Sequence, residues 1–302
     1  MQKYSTETGE WSSFNLSLKE NLLLSALICS SDIVAAISLI SEEEHPKLAS
    51  IIFGEGITND AVAIILYKTV YVYTSTSETF DGFTPVKVLG NFFTMTIFSV
   101  ILGIVVGIII ALILKHWRFL THSSIQEILL MFSAGYIGYV TSEMLDFSGI
   151  ISLFTWGIMM IHYAYYNCSE RTQQAVSLSF ATIGFGAEAF VFAYVGTSFF
   201  SFKSYDWSYQ FIGFEFLFVL IARFCGSVGM FYTSSIIFCF KRNLAINELI
   251  FLNFAGVIRG AIAFALVLRL DDNLANRSVI VTTVLSLVMA TTVIFGALMT
   301  LL

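Results

Sequence analysis

Charged residues are scarce in this 302-residue sequence, in which Asp, Glu, Lys and Arg make up only 12%. A soluble domain averages about 25%, so these charges are too few to cover a folded domain of this size in water. Proline is nearly absent, with two residues, and the four cysteines match neither a zinc nor a disulfide framework. The polar first residues lack the apolar core of a cleavable signal peptide. The net charge of −6 and the lack of a basic run argue against a nucleic-acid partner.

The sequence is instead rich in apolar residues, which reach 57% and include 30 phenylalanines. The mean hydropathy is +0.83, and apolar stretches near 20 residues are typical of helices that cross a bilayer. We therefore predict an all-α, polytopic membrane bundle, with a polar tail over 1–20 and a single membrane domain over 21–302. Its nine predicted spans lie at about 21–40, 48–73, 90–114, 126–145, 148–166, 175–199, 210–239, 246–268 and 278–302.

Small and aromatic residues within these spans add local predictions. Gly103 and Gly107 in ILGIVVGIII have the spacing that lets two helices approach closely. We interpret them as generic packing residues, with a specific dimer contact as the alternative. Trp117, Trp156 and Trp207 are interpreted as belt residues at the membrane interface.

Ionisable residues stand near the middle of five predicted spans. An isolated charge in hydrocarbon costs about 2.5–3.5 kcal/mol on insertion scales. A single such residue could be a structural hydrogen-bond partner. Several charges of both signs would cost too much free energy unless they faced one another or a water-filled cavity. Such a set therefore predicts an ion or proton pathway. The set comprises Asp32, Glu55, Asp60, Glu188, Arg223 and Arg259.

The second span, FGEGITNDAVAIIL, indicates how such a pathway works. Glu55 and Asn59 are four residues apart and share a helix face, whereas Asp60 is rotated about 100° further. An arginine can therefore hold Glu55 while Asp60 stays open to water and a cation. A desolvated carboxylate holds its proton more tightly, and small hard cations prefer oxygen ligands. A proton and a cation can thus compete for Asp60.

Two spans carry polar or small residues where a helix would be interrupted. In ALICSSDIVAAISLI, Ser31 and Asp32 belong to a polar triplet whose side chains compete for backbone hydrogen bonds. In FLNFAGVIRGAIAFAL, Gly256 and Gly260 flank Arg259. A pair of broken helices in two halves of a chain predicts a transport site at a repeat interface. The alternative is that the glycines only permit close packing.

Five segments together resemble the monovalent cation/proton antiporters, the sodium/proton exchangers: SSDIVAAISLI, FGEGITNDAVAIIL, GAEAFVFAYVG, LIARF and FAGVIRGAIAFAL. They are most similar to the plant vacuolar and endosomal branch, and the similarity runs from about Leu18 to the C-terminus. The resemblance implies a transporter, not an enzyme, that exchanges Na⁺ or K⁺ for H⁺ without a cofactor. It also implies a homodimer of inverted-repeat bundles, working by alternating access among the lipids of an endomembrane or the plasma membrane.

The resemblance also implies residue roles around the second span. Asp60, preceded by Asn59, matches the carboxylate that alternately binds cation and proton, and asparagine at that place implies electroneutral exchange. Asp32 matches a carboxylate near the bound Na⁺ or K⁺. Glu55 and Arg223 match a pair that forms a stabilising salt bridge beside the site.

The same resemblance assigns the remaining polar residues of the spans. Arg259, between Gly256 and Gly260, matches the arginine of the second broken helix, where it would balance helix-end dipoles. Glu188 matches a mid-membrane glutamate of the dimerisation half, and Ser31 is a further candidate beside Asp32. By this reading 21–73 and 210–302 form part of the ion-binding core, and 90–199 forms the dimerisation or scaffold part.

The sequence departs from the family pattern in two respects. Many members have proline after the residue matching Asp32, where this chain has Ile33. About four N-terminal helices are missing, so we expect part of a longer protein rather than a functional short form. The alternatives are a transport-inactive relative that serves as a binding or regulatory partner, and an intramembrane hydrolase, whose GxGD signature is absent from the sequence.

Overall fold

A computed structural model describes residues 1–5, 10–32, 37, 40, 45–75, 83–117, 123–201, 205–237, 246–272 and 274–299. A two-stranded antiparallel hairpin, β1 (Gln2–Tyr4) with β2 (Trp11–Ser13), precedes the helices. The helices are α1 (Leu18–Cys29), α2 (Pro46–Ser75), α3 (Thr84–His116), α4 (Ser124–Met144), α5 (Gly149–Met159), α6 (Glu170–Ser201), α7 (Tyr209–Ile237), α8 (Ile246–Ala255), α9 (Ala261–Leu268) and α10 (Arg277–Met299). The prediction of a helical bundle is confirmed.

Every predicted span overlaps a described helix or helix pair. In the described part of the chain, α2, α3, α6, α7 and α10 are long and apolar enough to cross a membrane. The fifth span contains α5, which continues as a π-helical turn (Met160–Ala164) and a 3₁₀ turn (Tyr165–Asn167). The eighth span is the pair α8 and α9. In the first span, residues 33–36 and 38–39 lie outside the described residues, and so does Ile33.

The chain divides into two compact units. The first unit comprises Met1–Val70 and Val191–Leu302, and the second comprises Tyr71–Phe190. The boundaries fall inside α2 and α6, so each of these helices contributes to both units. The ion-binding and scaffold roles predicted for parts of the membrane domain remain predictions.

The ends of α1 follow from its sequence. Ser17 and Glu20 form a capping box, in which the Ser17 amide donates to Glu20 Oε2 (2.8 Å) and the Glu20 amide donates to Ser17 Oγ (3.3 Å). Glu20 also accepts hydrogen bonds from Asn276, whose Nδ2 lies 3.1 Å from each carboxylate oxygen. These bonds hold the first turn of α1 against the start of α10.

The core of the first unit is formed by the inward faces of several helices. Its buried cluster comprises Leu48, Ile52, Leu252, Ala255, Val257, Ile258, Phe295 and Met299. These residues come from α2, from α8 and the segment that follows it, and from the last turns of α10. The cluster therefore packs α8 and the segment that follows it against α2 and α10.

The core of the second unit depends on two glycines of α3. A Cβ at Gly107 would lie 2.5 Å from Met159 Cβ, and one at Gly103 would lie 2.8 Å from Thr155 Cβ. The glycines thus let α3 approach α5, which confirms packing as their role. Trp156 is only 6% exposed and belongs to the buried cluster of this unit. The belt interpretation of Trp156 was therefore wrong, because α5 turns that indole toward α3 and α4 rather than toward the membrane.

The N-terminal residues dock onto the segment between α6 and α7. The Tyr4 amide donates to the Trp207 carbonyl (2.7 Å), and the Trp207 amide donates back to the Tyr4 carbonyl (2.9 Å). Lys3 Nζ forms an ion pair with Asp206 Oδ2 at 2.7 Å. Ser278 Oγ, on α10, donates to the same oxygen (3.1 Å). Backbone pairing and one ion pair therefore fasten the hairpin to the first unit.

We expect this docking to weaken in acid. Burial alone would raise the pKa of Asp206, but the hydrogen bonds from Lys3 and Ser278 and the Lys3 charge hold it below its usual value of 3.8. A carboxyl group with a depressed pKa stabilises the fold above its unfolded pKa, and the stabilisation disappears as pH falls through the folded pKa. The unfolding temperature in detergent should therefore drop below about pH 4. The loss should correspond to about 1 kcal/mol or less, because the pair is partly solvated.

The matched control is Asp206→Asn, which keeps the shape of the side chain and removes its titration. Its unfolding temperature should be lower than that of the wild type at pH 6, and the difference should shrink toward pH 3. A constant difference across this range would contradict the role given to the Asp206 charge.

Candidate functional site

The first interruption lies at the end of α1. Helical geometry stops at Cys29, and Ser30 is extended, with φ −66° and ψ 139°. The Asp32 amide donates to the Ile258 carbonyl at 2.8 Å, across to the segment between α8 and α9. The structure confirms that helical geometry ends here, while residues 33–36, on which the predicted interruption also depends, lie outside the described residues. The backbone of this segment is bonded to the second break.

The second interruption comprises residues 256–260, which are non-helical between α8 and α9. Two hydroxyl groups of α10 bind the backbone there. The Arg259 amide donates to Thr291 Oγ1 (3.1 Å), and Thr292 Oγ1 donates to the Arg259 carbonyl (2.8 Å). Non-helical backbone at membrane depth needs such partners, because lipid offers none. The two threonines therefore satisfy the Arg259 backbone groups and stabilise this break.

The Arg259 side chain connects the two breaks. It is 8% exposed, and its Nη1 donates to the carbonyls of Cys29 (3.1 Å) and Ser30 (2.8 Å). The last carbonyls of a helix have no intrahelical partner and carry the negative end of the helix dipole. The guanidinium thus satisfies and balances the end of α1, which is the placement that its predicted role requires.

Glu55 and Arg223 form an ion pair between α2 and α7. Arg223 Nη1 contacts Glu55 Oε1 directly, and the two side chains are 13% and 25% exposed respectively. Arg223 Nη2 also approaches the Leu252 carbonyl of α8 (3.4 Å). This pair and the contact with Leu252 link three helices, α2, α7 and α8.

Asn59 and Asp60 present oxygen atoms beside the first break. Asn59 Nδ2 donates to Ser31 Oγ (3.0 Å) and lies 3.4 Å from Glu55 Oε1. These bonds use the two N–H groups of the amide, so Oδ1 is the ligand atom that Asn59 can offer. Asp60 Oδ1 is buried and has no hydrogen-bond partner among the described residues. Asp60 is close enough to Asp32 for the two charges to repel each other.

Gly256 and Gly260 lie where the charged side chains come closest to the backbone. A Cβ at Gly256 would overlap the Arg223 guanidinium, and one at Gly260 would lie 2.7 Å from Asp32 Cγ. The glycines lie at a helix break and also permit close packing, so close packing is not their only role. What packs against them is a charged side chain rather than an apolar neighbour.

We expect Gly260→Ala to destabilise the fold. The added methyl group must displace the Asp32 carboxylate, which lies against it. Overpacking a closely packed position costs about 1–3 kcal/mol. The measurement is the unfolding temperature in detergent. Gly296→Ala on α10 is the matched control, since its Cβ would meet nothing within 4 Å. Equal effects of both substitutions would contradict the role of this close approach.

The predicted residues divide between the two units. Asp32, Glu55, Asn59, Asp60, Arg223 and Arg259 all belong to the first unit. Glu188 lies on the part of α6 that belongs to the second unit, and it is partly buried. Its role remains a prediction.

Several residues of the site were missed by the sequence analysis. Thr291 and Thr292 anchor the second break, and Ser227 Oγ of α7 contacts Asn253 Oδ1 of α8 one turn beyond Arg223. These residues could have been noticed as polar side chains in otherwise apolar spans. Such side chains usually form hydrogen bonds within their own helix, so their presence alone does not indicate a site.

These features define an integral, multi-pass helical membrane protein in which two interrupted helices meet at a cluster of charges. The model of the transmembrane sodium/hydrogen exchanger family matches residues 6–302. The chain therefore belongs to the sodium/hydrogen exchanger family.

Relatives from plants and animals agree with this assignment. The chain is similar to sodium/hydrogen exchanger 4 of Arabidopsis thaliana, with 32% identity over 93% of this chain and 56% of that protein. It is 28% identical to sodium/hydrogen exchanger 1 of Oryza sativa subsp. japonica, over 93% of this chain and 55% of the relative. Human sodium/hydrogen exchanger 8 is 32% identical, over 93% and 48% respectively. The chain thus spans about half the length of the curated relatives it matches.

Proposed function

We propose that this chain carries the ion-binding core of an antiporter that exchanges Na⁺ for H⁺. The observation that supports this most directly is the Asp60 carboxylate. One of its oxygens is buried and without a hydrogen-bond partner in the described part of the chain, and it lies near Asp32. A carboxylate oxygen kept in this way can accept a proton or coordinate a cation, and the neighbouring negative charge attracts both.

The competition between the two ions follows from charge. With a proton bound, Asp60 is neutral and the repulsion from Asp32 is relieved, so the site has little affinity for Na⁺. When the proton leaves, the charge of Asp60 adds to that of Asp32, and a cation with oxygen ligands would relieve their repulsion. Asn59 donates to the Ser31 hydroxyl at 3.0 Å, and we propose the Asn59 amide oxygen and this hydroxyl as the neutral ligands. Each ion therefore displaces the other.

The proposed exchange is electroneutral, one cation for one proton. Glu55 is paired with Arg223, and Asn59 carries no carboxyl group. Asp60 is then the group of α2 that titrates during transport. Alternating access would carry this group to each side of the membrane in turn, and the same oxygen ligands would admit K⁺.

A transport-inactive relative is the second candidate. The observation that favours it is the length of the match, since the chain spans about half of the relatives. In that case the charge network would stabilise the fold, and the chain would serve as a binding or regulatory partner.

Reconstitution of the purified chain into vesicles with an entrapped pH dye tests the proposal. A Na⁺ pulse outside acid-loaded vesicles should raise the internal pH, and protein-free vesicles should not respond. The rate should be unchanged when a membrane potential is imposed, because electroneutral exchange moves no net charge. Repeating the pulse with K⁺ tests the second cation. A folded chain whose signal equals that of protein-free vesicles would favour the inactive relative.

A further inference from the structure

The second unit has an open pocket where α3 and the turns after α5 end side by side. This space, the α3–α5 pocket, has a volume of about 510 Å³. That volume lies within the range of about 300–1,000 Å³ that is typical of small-molecule sites. Its lining includes Ile108, Leu112 and Lys115 of α3, and Met159, His162 and Tyr166 of α5 and the turns that follow it.

The two walls of the pocket end at the same face of the membrane. Gly103 of α3 approaches Thr155 of α5, and four residues later on both helices Gly107 approaches Met159. The two helices therefore run in the same direction. The apolar span of α3 has 32 residues, a length of about 48 Å, and it exceeds the hydrocarbon core of about 30 Å. Its last turn thus extends into the head-group region.

Polarity increases along the pocket toward this face on both walls. Ile108 and Leu112 are exposed and apolar, and Lys115 follows in the last turn of α3. On the other wall Met159 is followed by His162. Ile108 and Lys115 are about 10 Å apart along the helix axis. A phospholipid has the same order of groups over a similar length, from the acyl chain through the glycerol esters to the phosphate.

The polar end of the pocket is positively charged. Lys115 is exposed, and it takes part in none of the ion pairs among the described residues. The lining contains no carboxylate. The carbonyl end of α3 carries roughly half a negative elementary charge, which the full charge of Lys115 outweighs. The pocket therefore attracts an anion at the depth where head groups lie.

We propose that the α3–α5 pocket binds one anionic phospholipid of the surrounding membrane. The phosphate lies beside Lys115, and the first part of an acyl chain lies against Ile108, Leu112 and Met159. Basic pockets between membrane-spanning helices bind anionic head groups in this way. A zwitterionic lipid binds less tightly, because its head group has no net negative charge. The site is separate from the cation site, whose residues all belong to the first unit.

Native mass spectrometry of the purified chain in detergent tests the preference for the head group. Dioleoyl phosphatidylglycerol should half-saturate the chain at a concentration about fivefold lower than dioleoyl phosphatidylcholine, since one lysine near an anionic lipid contributes about this factor. Equal binding of the two lipids would overturn the proposal. Glycerol 3-phosphate carries the charge without acyl chains. If it displaced the phosphatidylglycerol at equal concentration, the assignment to a lipid would be wrong.

Substitutions in α3 locate the charge that the lipid recognises. Lys115→Gln should raise the half-saturating concentration of phosphatidylglycerol about fivefold and leave that of phosphatidylcholine unchanged, whereas Lys115→Arg should bind like the wild type. Lys87→Gln is the matched control, because Lys87 lies in the first turn of the same helix and outside the pocket lining. Unfolding temperatures show that each variant is folded. Equal effects of Lys115→Gln and Lys87→Gln would contradict the site.

Photolabelling in vesicles tests where the acyl chain lies. The probe is phosphatidylglycerol with a diazirine on its acyl chain, as a minor component of phosphatidylcholine vesicles that contain the chain. On irradiation the diazirine loses N₂, and its carbene inserts into a nearby C–H bond. Adducts should concentrate on Ile108, Leu112 and Met159, and Lys115→Gln should reduce them relative to adducts on α7. Even labelling of the exposed apolar faces, unchanged in this variant, would overturn the proposal.

Discussion

Asp60→Asn is expected to abolish cation-driven proton movement and to leave the fold intact. Asparagine has nearly the same shape, but it can neither release a proton nor neutralise a cation. Because one Asp60 oxygen has no partner among the described residues, the substitution breaks no hydrogen bond of that atom. The pH signal after a Na⁺ pulse should fall to the level of protein-free vesicles, while the unfolding temperature should stay the same or rise.

Asp146→Asn is the matched control for this substitution. Asp146 lies between α4 and α5 with φ of 60°, a conformation that asparagine also tolerates. This variant removes one exposed aspartate without touching the first unit, and it should transport like the wild type. Robust Na⁺-dependent proton flux in Asp60→Asn would remove Asp60 from its proposed role.

Arg223→Ala is expected to cause a large loss of stability. The substitution removes the partner of Glu55 and strands a partly buried carboxylate between α2 and α7. Breaking a buried ion pair by removing one partner costs about 3–5 kcal/mol of stability. Because both side chains are partly exposed, we expect the loss for Arg223→Ala to lie near the lower end of this range. The unfolding temperature and the yield of monodisperse protein should fall, and the Na⁺ affinity of the remaining folded protein should change less.

The double variant Arg223→Met with Glu55→Gln separates the pair from its surroundings. It removes both charges and keeps side chains of similar length, so much of the lost stability should return. If Arg223→Ala were fully stable but bound Na⁺ weakly, Arg223 would act on the ion rather than on Glu55. Failure of the double variant to recover would indicate that the contact with the Leu252 carbonyl matters more than the pair.

The helical class and the helix breaks could be predicted because they depend on local chemistry. Twenty apolar residues in a row have few stable alternatives to a membrane helix. Ser31 and Asp32 compete with helical hydrogen bonds from within their own segment, so the first break is visible in the sequence. The same reasoning found the ionisable residues, since a charge in an apolar span needs a partner wherever the span folds.

The partners of those residues could be predicted only partly. Spacing showed that Glu55 and Asn59 share a face, but only the resemblance pointed to Arg223 for Glu55. Nothing local indicates that Thr291 and Thr292 hold the second break, because most threonines in apolar helices bond to their own backbone. The interpretation of Trp156 as an interface residue was wrong because nothing local indicates its neighbours. An indole can lie at a membrane interface or in a buried core, and only the residues packed around it distinguish the two.

The sequence by itself determined that this protein lies in a membrane, that its helices are mostly α, and where two of them are interrupted, because hydropathy and backbone competition act within a few neighbouring residues. Tertiary structure alone decided that Arg259 reaches the end of α1, that Gly260 makes room for Asp32, and that the Trp156 indole packs in a buried cluster. Those outcomes depend on the distances between segments far apart in the chain, which are set by how the helices pack.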